Sequence, residues 1–202
     1  MWLRMVKKMK LILMCFMCLI GMVGCQLQRD ANPKLVYEEL SKREEYLLNL
    51  TGSKVLIYNL DDLPNNKNYE IELVYEVYED GKKIKEEPII ALINDHTSEK
   101  ILTKTIALNI QEDKIRCLLG SENGYASGKY DLEEELSKYS MSWLPDDIEL
   151  NLGTEVYLCH AHSGNSTAST VTLGVPIDTN QLNKALHNNQ TNIFIKLSFK
   201  EI

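Results

Sequence analysis

Hydrophobic residues along most of this chain recur at every second position, the period of a strand with one wet face. The clearest run is Tyr69, Ile71, Leu73, Tyr75 and Val77, interleaved with Glu70, Glu72 and Glu76. That is the pattern of a half-buried antiparallel strand. Asp80-Gly81 follows at once, and Asp-Gly is a strong two-residue hairpin signal because such turns need positive φ. The return strand passes through Ile84, and a further apolar piece spans residues 89–93 after Pro88. Residues 55–60 form a short apolar strand before this hairpin. Ile106, Leu108 and Ile110 mark another strand, Ile115, Cys117 and Leu119 the next, with Asp113-Lys114 as the turn between them. Strand character returns at Ile148, Leu150 and Leu152, at Val156 and Leu158, at Val171 and Leu173, and at Ile193, Ile195, Leu197 and Phe199.

Helical signals are fewer. Asn32-Pro33 reads as a cap followed by proline at the first helical position, with Val36, Leu40, Leu47 and Leu50 recurring on one face, interrupted by Arg43, until Gly52. Asp131 with Glu134 resembles a capping box ahead of Leu132, Leu136 and Tyr139; the same stretch also reads as a strand and loop leading to Trp143. Asp178 and Gln181 cap a short helix through Leu182 and Leu186. Residues 120–128 read as a glycine-containing loop. Seven to nine short strands separated by turn signals predict a mainly β chain, an antiparallel, immunoglobulin-like β-sandwich with an N-terminal helix and one or two short helices. One domain over residues 33–202 is expected, since no repeat or low-complexity linker divides it. The antibody-type Cys–Trp–Cys spacing is lacking, because no clear strand carries Trp143 between Cys117 and Cys159.

The first 25 residues follow a different pattern. Arg4, Lys7, Lys8 and Lys10 make a basic start, and residues 11–24 then run without a charge. That run is shorter than the ~20 residues needed to span a bilayer and has the length of a secretory apolar region. It closes on Met22-Val23-Gly24-Cys25, which resembles the lipobox of bacterial prolipoproteins, with Met22 standing where Leu is usual. The resemblance implies a signal peptide over 1–24, diacylglycerol and palmitate attached at Cys25, and a short tether over 25–32. It also implies residence on the extracytoplasmic face of the cell membrane. Met5 offers an alternative start that leaves the same signal. Residues 26–32 reach at most about 25 Å when extended, which keeps the folded part near the membrane surface.

Charge narrows the partners. Removing residues 1–24 leaves 178 residues with 18 basic and 29 acidic side chains, a balance of −11. Such an acidic surface repels phosphate backbones, so no nucleic-acid binding is expected. Cys25 is consumed by lipid in this reading; Cys117 and Cys159 are left either to pair in an oxidising compartment or to act as small buried hydrophobes.

Candidate chemistry is sparse, and no cofactor signature is present. His160 and His162 lie two apart on one strand, a spacing that chelates a metal if a third ligand such as His96 or an acidic loop residue arrives. Strand parity puts them on the face of Val156 and Leu158. Asp61-Asp62 and Asp146-Asp147 are acidic doublets beside turn prolines, able to hold calcium if their loops met. Residues 164–168, Gly-Asn-Ser-Thr-Ala, partly match a nucleophile elbow but precede a Thr-rich strand rather than a helix. Tyr78, Tyr125 and Trp143 are candidates for an aromatic recognition patch. The expectation is a non-enzymatic accessory or protein-interaction lipoprotein of the cell envelope, anchored by lipid and bound to another envelope protein. A metal-ion or small-molecule binder through His160 and His162 is the alternative, and an extracytoplasmic hydrolase the third.

Overall fold

Alternation dictates sheet, and the computed structural model, which describes residues 32–64, 67–95, 103–121, 124–164, 171–174 and 178–202, folds almost wholly as sheet. Residues 1–31, with Cys25 and the signal pattern, lie outside the described residues, as do His96 and residues 165–168. In chain order the elements are β1 (Lys34–Glu38), α1 (Lys42–Leu50), β2 (Lys54–Asp61), β3 (Tyr69–Glu79), β4 (Lys82–Asn94), β5 (Thr105–Ile110), β6 (Lys114–Ser121) and β7 (Gly124–Asp131). A single 3₁₀ turn (Leu136–Lys138) precedes β8 (Ser140–Trp143), β9 (Ile148–Glu149), β10 (Thr154–Ser163), α2 (Thr179–Asn188) and β11 (Thr191–Glu201). All pairings are antiparallel. One sheet has the order β7-β6-β5-β2-β1-β9 and the other β4-β3-β11-β10-β8. The mainly β class with two antiparallel sheets is as expected, and the strand count among the described residues is eleven.

The extra strands come from segments whose local signals pointed elsewhere. Residues 34–38 are the strand β1, not the first turns of a helix: Leu35 is fully buried and the strand pairs with both β2 and β9. The helix starts at Ser41, whose hydroxyl accepts from the Glu44 amide while the Glu44 carboxylate accepts from the Ser41 amide. That reciprocal capping box satisfies donors that Asn32-Pro33 could not reach. Residues 120–128 are mostly β6 and β7 rather than a loop, and Asp131 ends β7 instead of capping a helix. Trp143 does lie on a strand, β8, in register with Cys159. Only Ile148–Glu149 of the 148–152 stretch pairs, and Val171 and Leu173 are buried without joining a sheet.

The Asp80-Gly81 hairpin forms as predicted, with φ of +46° and +79°, the two positive values of a type I′ turn. Between the sheets Leu35, Leu56, Leu108, Ile71, Leu73 and Leu197, with their neighbours, make one continuous core. Tyr58 on β2 sends its hydroxyl across that core to the Leu144 carbonyl at 2.9 Å, which ties the six-stranded sheet to the end of β8. Cys117 and Cys159 are free and buried. Burial pushes their thiols up to about 11 and about 12, so they act as small hydrophobes rather than nucleophiles.

Candidate functional site on the outer face of the five-stranded sheet

Strands β3, β11 and β10 should each bury one face only, yet polar residues on their outer face are buried too. Glu76, Asn192, His160 and Lys196 are all at most 4 % exposed, and His162 is 6 % exposed. They form a continuous row with two ends.

The first end centres on the Glu76 carboxylate. Lys196 Nζ approaches one oxygen at 2.7 Å and Lys83 Nζ the same oxygen at 2.9 Å. The hydroxyls of Tyr78 and Tyr157 donate to the other oxygen at 3.2 and 3.3 Å. Glu86 and Glu155 flank the ammonium groups, at 2.9 Å from Lys83 and 3.1 Å from Lys196. Burial opposes the charge on Lys196, but its bonds to Glu76 and Glu155 outweigh that and hold its pKa above the ordinary value. A buried ion pair is stable only when its remaining lone pairs and protons are met. Here both carboxylate oxygens are met twice.

Phe194 on β11 joins the two ends. Tyr78 meets it edge-on at 5.7 Å, Tyr157 at 4.7 Å, and the His160 ring lies flat on it at 4.5 Å and 8°.

The second end is built by an irregularity. The β10–β11 register shifts between Tyr157 and Cys159. This extra residue in one strand breaks the two-residue alternation. Val156 and Leu158 face the core as predicted, but Cys159 and Ala161 join them there, and His160 and His162 turn to the outer face. Parity counted through an unrecognised bulge had put them inward. His160 Nε2 lies 3.0 Å from Asn192 Oδ1. That oxygen also accepts from Asn189 Nδ2 at 2.8 Å, while Asn192 Nδ2 reaches the Ala185 carbonyl of α2 at 3.5 Å. With Oδ1 thus fixed as an acceptor, Nε2 carries the proton and Nδ1 keeps a bare lone pair. Burial drives the His160 pKa down to about 4 and lowers that of His162, so His160 is neutral at pH 7. Among the described residues, neither Nδ1 has a hydrogen-bond partner, although both atoms are buried. Leaving such a group unmet costs about 1–3 kcal/mol.

The other candidates disperse. Asp61 pairs with Lys34 at the start of β1, whereas Asp147 accepts from the Tyr37 amide three residues further along; the acidic doublets do not converge. Among the described residues, no group of three or more His, Cys, Asp or Glu is gathered for a metal. Tyr125 on β7 and Trp143 on β8 belong to edge strands of different sheets, β7 beside β4 and β8 at the far side of β10. They do not share a patch with Tyr78. Trp143 instead lies under the Lys54 ammonium at 3.6 Å.

A family model described as the YgaN domain matches residues 36–199. The chain belongs to the YgaN domain family. No match was found among the curated proteins or among the solved structures. Within this YgaN domain the matched span takes in Glu76, His160, His162, Asn192 and Lys196, so both ends of the row belong to the domain proper. Among the described residues no helix is long and apolar enough to cross a membrane. The sequence did hold a signal for the residues it did not single out. In Val74-Tyr75-Glu76-Val77-Tyr78 and Asn192-Ile193-Phe194-Ile195-Lys196, apolar residues occupy both faces, the mark of a strand covered on two sides.

Proposed function

We propose that this YgaN domain is a lipid-anchored, non-enzymatic interaction module on the extracytoplasmic face of the cell membrane. It is held to the bilayer through Cys25 and engages a second envelope protein through α1. The observation that carries the partner half is that α1 buries none of its residues while Tyr46, Leu47 and Leu50 stand 65, 53 and 68 % exposed. At helical spacing Lys42 lies beside Tyr46 and Arg43 beside Leu47. With Glu44 on the other flank of Leu47, the face is apolar and edged by charges of both signs, suited to a partner groove that is apolar with a polar rim.

The chain enters β1 at Lys34, next to Asn32, and α1 follows the opposite end of β1 at Glu38. The four steps from Lys34 to Glu38 separate the two ends by about 14 Å. The point where the chain enters the sheet and the start of α1 thus lie at opposite ends of β1. Two acyl chains hold a protein stably where one does not, and the basic start, short apolar run and Val23-Gly24-Cys25 ending support that anchor.

The test joins both halves in cells. The wild-type chain should take up an alkyne palmitate analogue and Cys25→Ala should not. A photo-crosslinking residue at position 47 should give one discrete adduct, lost both in Leu50→Asp and in the double variant Lys42→Glu with Arg43→Glu. Absence of label in the wild-type chain would remove the anchor. An adduct indifferent to both surface variants would remove α1 as the docking helix.

A further inference from the structure

We infer that His160 and His162 form a binding site for a divalent transition-metal ion of the zinc class, taken up through the Nδ1 atom of each ring. This stands apart from the interaction reading above and rests on different residues.

Three observations converge on it. The two Nδ1 atoms are buried and unmet among the described residues, and the Nδ1 of His160 is a lone pair because its Nε2–H is committed to Asn192 Oδ1. A bare, buried imine nitrogen needs either a proton donor or a Lewis acid. The second observation is the support around His160. Metal-ligating imidazoles characteristically donate their other ring N–H to a carbonyl or carboxylate, which fixes tautomer and ring orientation. Here the acceptor is Asn192 Oδ1, itself held by Asn189 and Ala185, and Phe194 stacks flat against the ring.

The third observation is the spacing of the rings. With a metal–nitrogen bond of about 2.1 Å, a metal in the plane of an imidazole lies roughly 3.2 Å from its centroid. The two centroids are 5.1 Å apart. The rings are tilted 35° to one another, and an ion lying in both ring planes would subtend about 105° at that spacing, close to the tetrahedral value zinc prefers. The described residues supply two protein ligands, both buried, so the two rings must part to admit the ion and the water that completes its coordination. Ser140 and Ser142 of β8 are in register with His162 and His160, and the Ser142 hydroxyl donates to the His160 carbonyl at 3.5 Å.

The test is a calorimetric titration of the full chain, purified without a histidine tag in detergent micelles, with zinc chloride at pH 7.5. One equivalent of zinc should bind saturably. His160→Ala and His162→Gln should each weaken binding at least tenfold, while His187→Ala, exposed on α2, leaves it unchanged. Cobalt(II) in place of zinc should give the visible absorption of a tetrahedral nitrogen–oxygen site, lost in His162→Gln. If His160→Ala fails to fold, the more peripheral His162→Gln decides alone. No saturable uptake at a hundredfold excess of zinc, or unchanged affinity in His162→Gln, overturns the assignment.

Discussion

The two ends of the outer row on the five-stranded sheet contain similarly buried polar groups and have opposite hydrogen-bond status. Around Glu76, four donors from Lys83, Lys196, Tyr78 and Tyr157 meet the two carboxylate oxygens, so the carboxylate is fully met. Around His160 the polar groups are as deeply buried, yet two ring nitrogens have no partner among the described residues. A closed network specifies how β3, β4, β10 and β11 sit together. An open one stores unmet bonding capacity, and that capacity is what a ligand uses. Burial alone does not separate the two ends; the status of the Glu76 carboxylate and of the two imidazoles does.

The largest effect expected from this contrast is at the closed end. Glu76→Ala leaves Lys196, only 4 % exposed, without its principal counter-charge. Breaking one partner of a buried pair costs about 3–5 kcal/mol, which should appear as a large fall in the urea midpoint. Replacing Glu76 and Lys196 together by Met should cost far less, because no buried charge is then stranded. Equal losses in the single and double variants would mean the network contributes by packing rather than by paired charge.

The open end should respond to pH instead. His160 has its pKa lowered to about 4, against an ordinary value near 6.5. Between those values the unfolded chain binds a proton that the folded chain does not. Stability from this group is therefore fully present above about pH 6.5 and declines as pH falls toward 4, by up to about 3 kcal/mol. His162 is shifted the same way by burial. Glu86 is held low by Lys83 and loses its contribution in the same direction at more acid pH. The informative quantity is thus the difference between the wild-type chain and His160→Gln over pH 4–7, measured by chemical denaturation. A difference independent of pH would mean that His160 is not held neutral by its surroundings.

The smallest effect is a single hydroxyl. Tyr157→Phe removes one of the four donors to Glu76 and should cost about 1 kcal/mol, read from the same urea curves. It should leave zinc affinity within twofold, since Tyr157 touches the row at Phe194 and Glu76 and not at the imidazole nitrogens. A large change in zinc affinity would join the two ends into one functional unit and remove the distinction between them.

Local rules carried the fold where one residue decides one feature. Asp80-Gly81 gave the β3–β4 hairpin because its backbone demands positive φ at both positions. Asp178 capped α2, accepting from the amides of Asn180 and Gln181. Alternation placed Tyr75 in the core and Tyr78 on the other face. The rules failed where a remote partner overrode them. Asn32-Pro33 is a fair helix start, but β2 and β9 recruit the next five residues as a strand. Residues 120–128 look like a loop because Gly120 and Gly128 are weak strand formers, yet the β6–β7 ladder runs through both. At Gly128 a side chain would meet Cys117 Sγ and the Ile89 carbonyl at 2.9 Å, so close packing accounts for the glycine there.

The site was half legible for the same reason. His160 and His162 stand out by spacing, and their chelating geometry follows from any extended strand. Their face does not, because a single bulge inverts it and the bulge has no local signature. Glu76 and Lys196 are distant in sequence and meet only when β3 pairs with β11. Asn192 becomes the acceptor that fixes the His160 tautomer only once α2 brings Asn189 to it.

The open state of the imidazole end can be read directly by nitrogen-15 NMR of the histidine side chains in the metal-free chain at pH 7. A neutral His160 with its proton on Nε2 and an Nδ1 shift typical of an unbonded lone pair is the predicted result, with that Nδ1 resonance moving on addition of zinc. A protonated ring, or a neutral ring with its proton on Nδ1, would contradict the account.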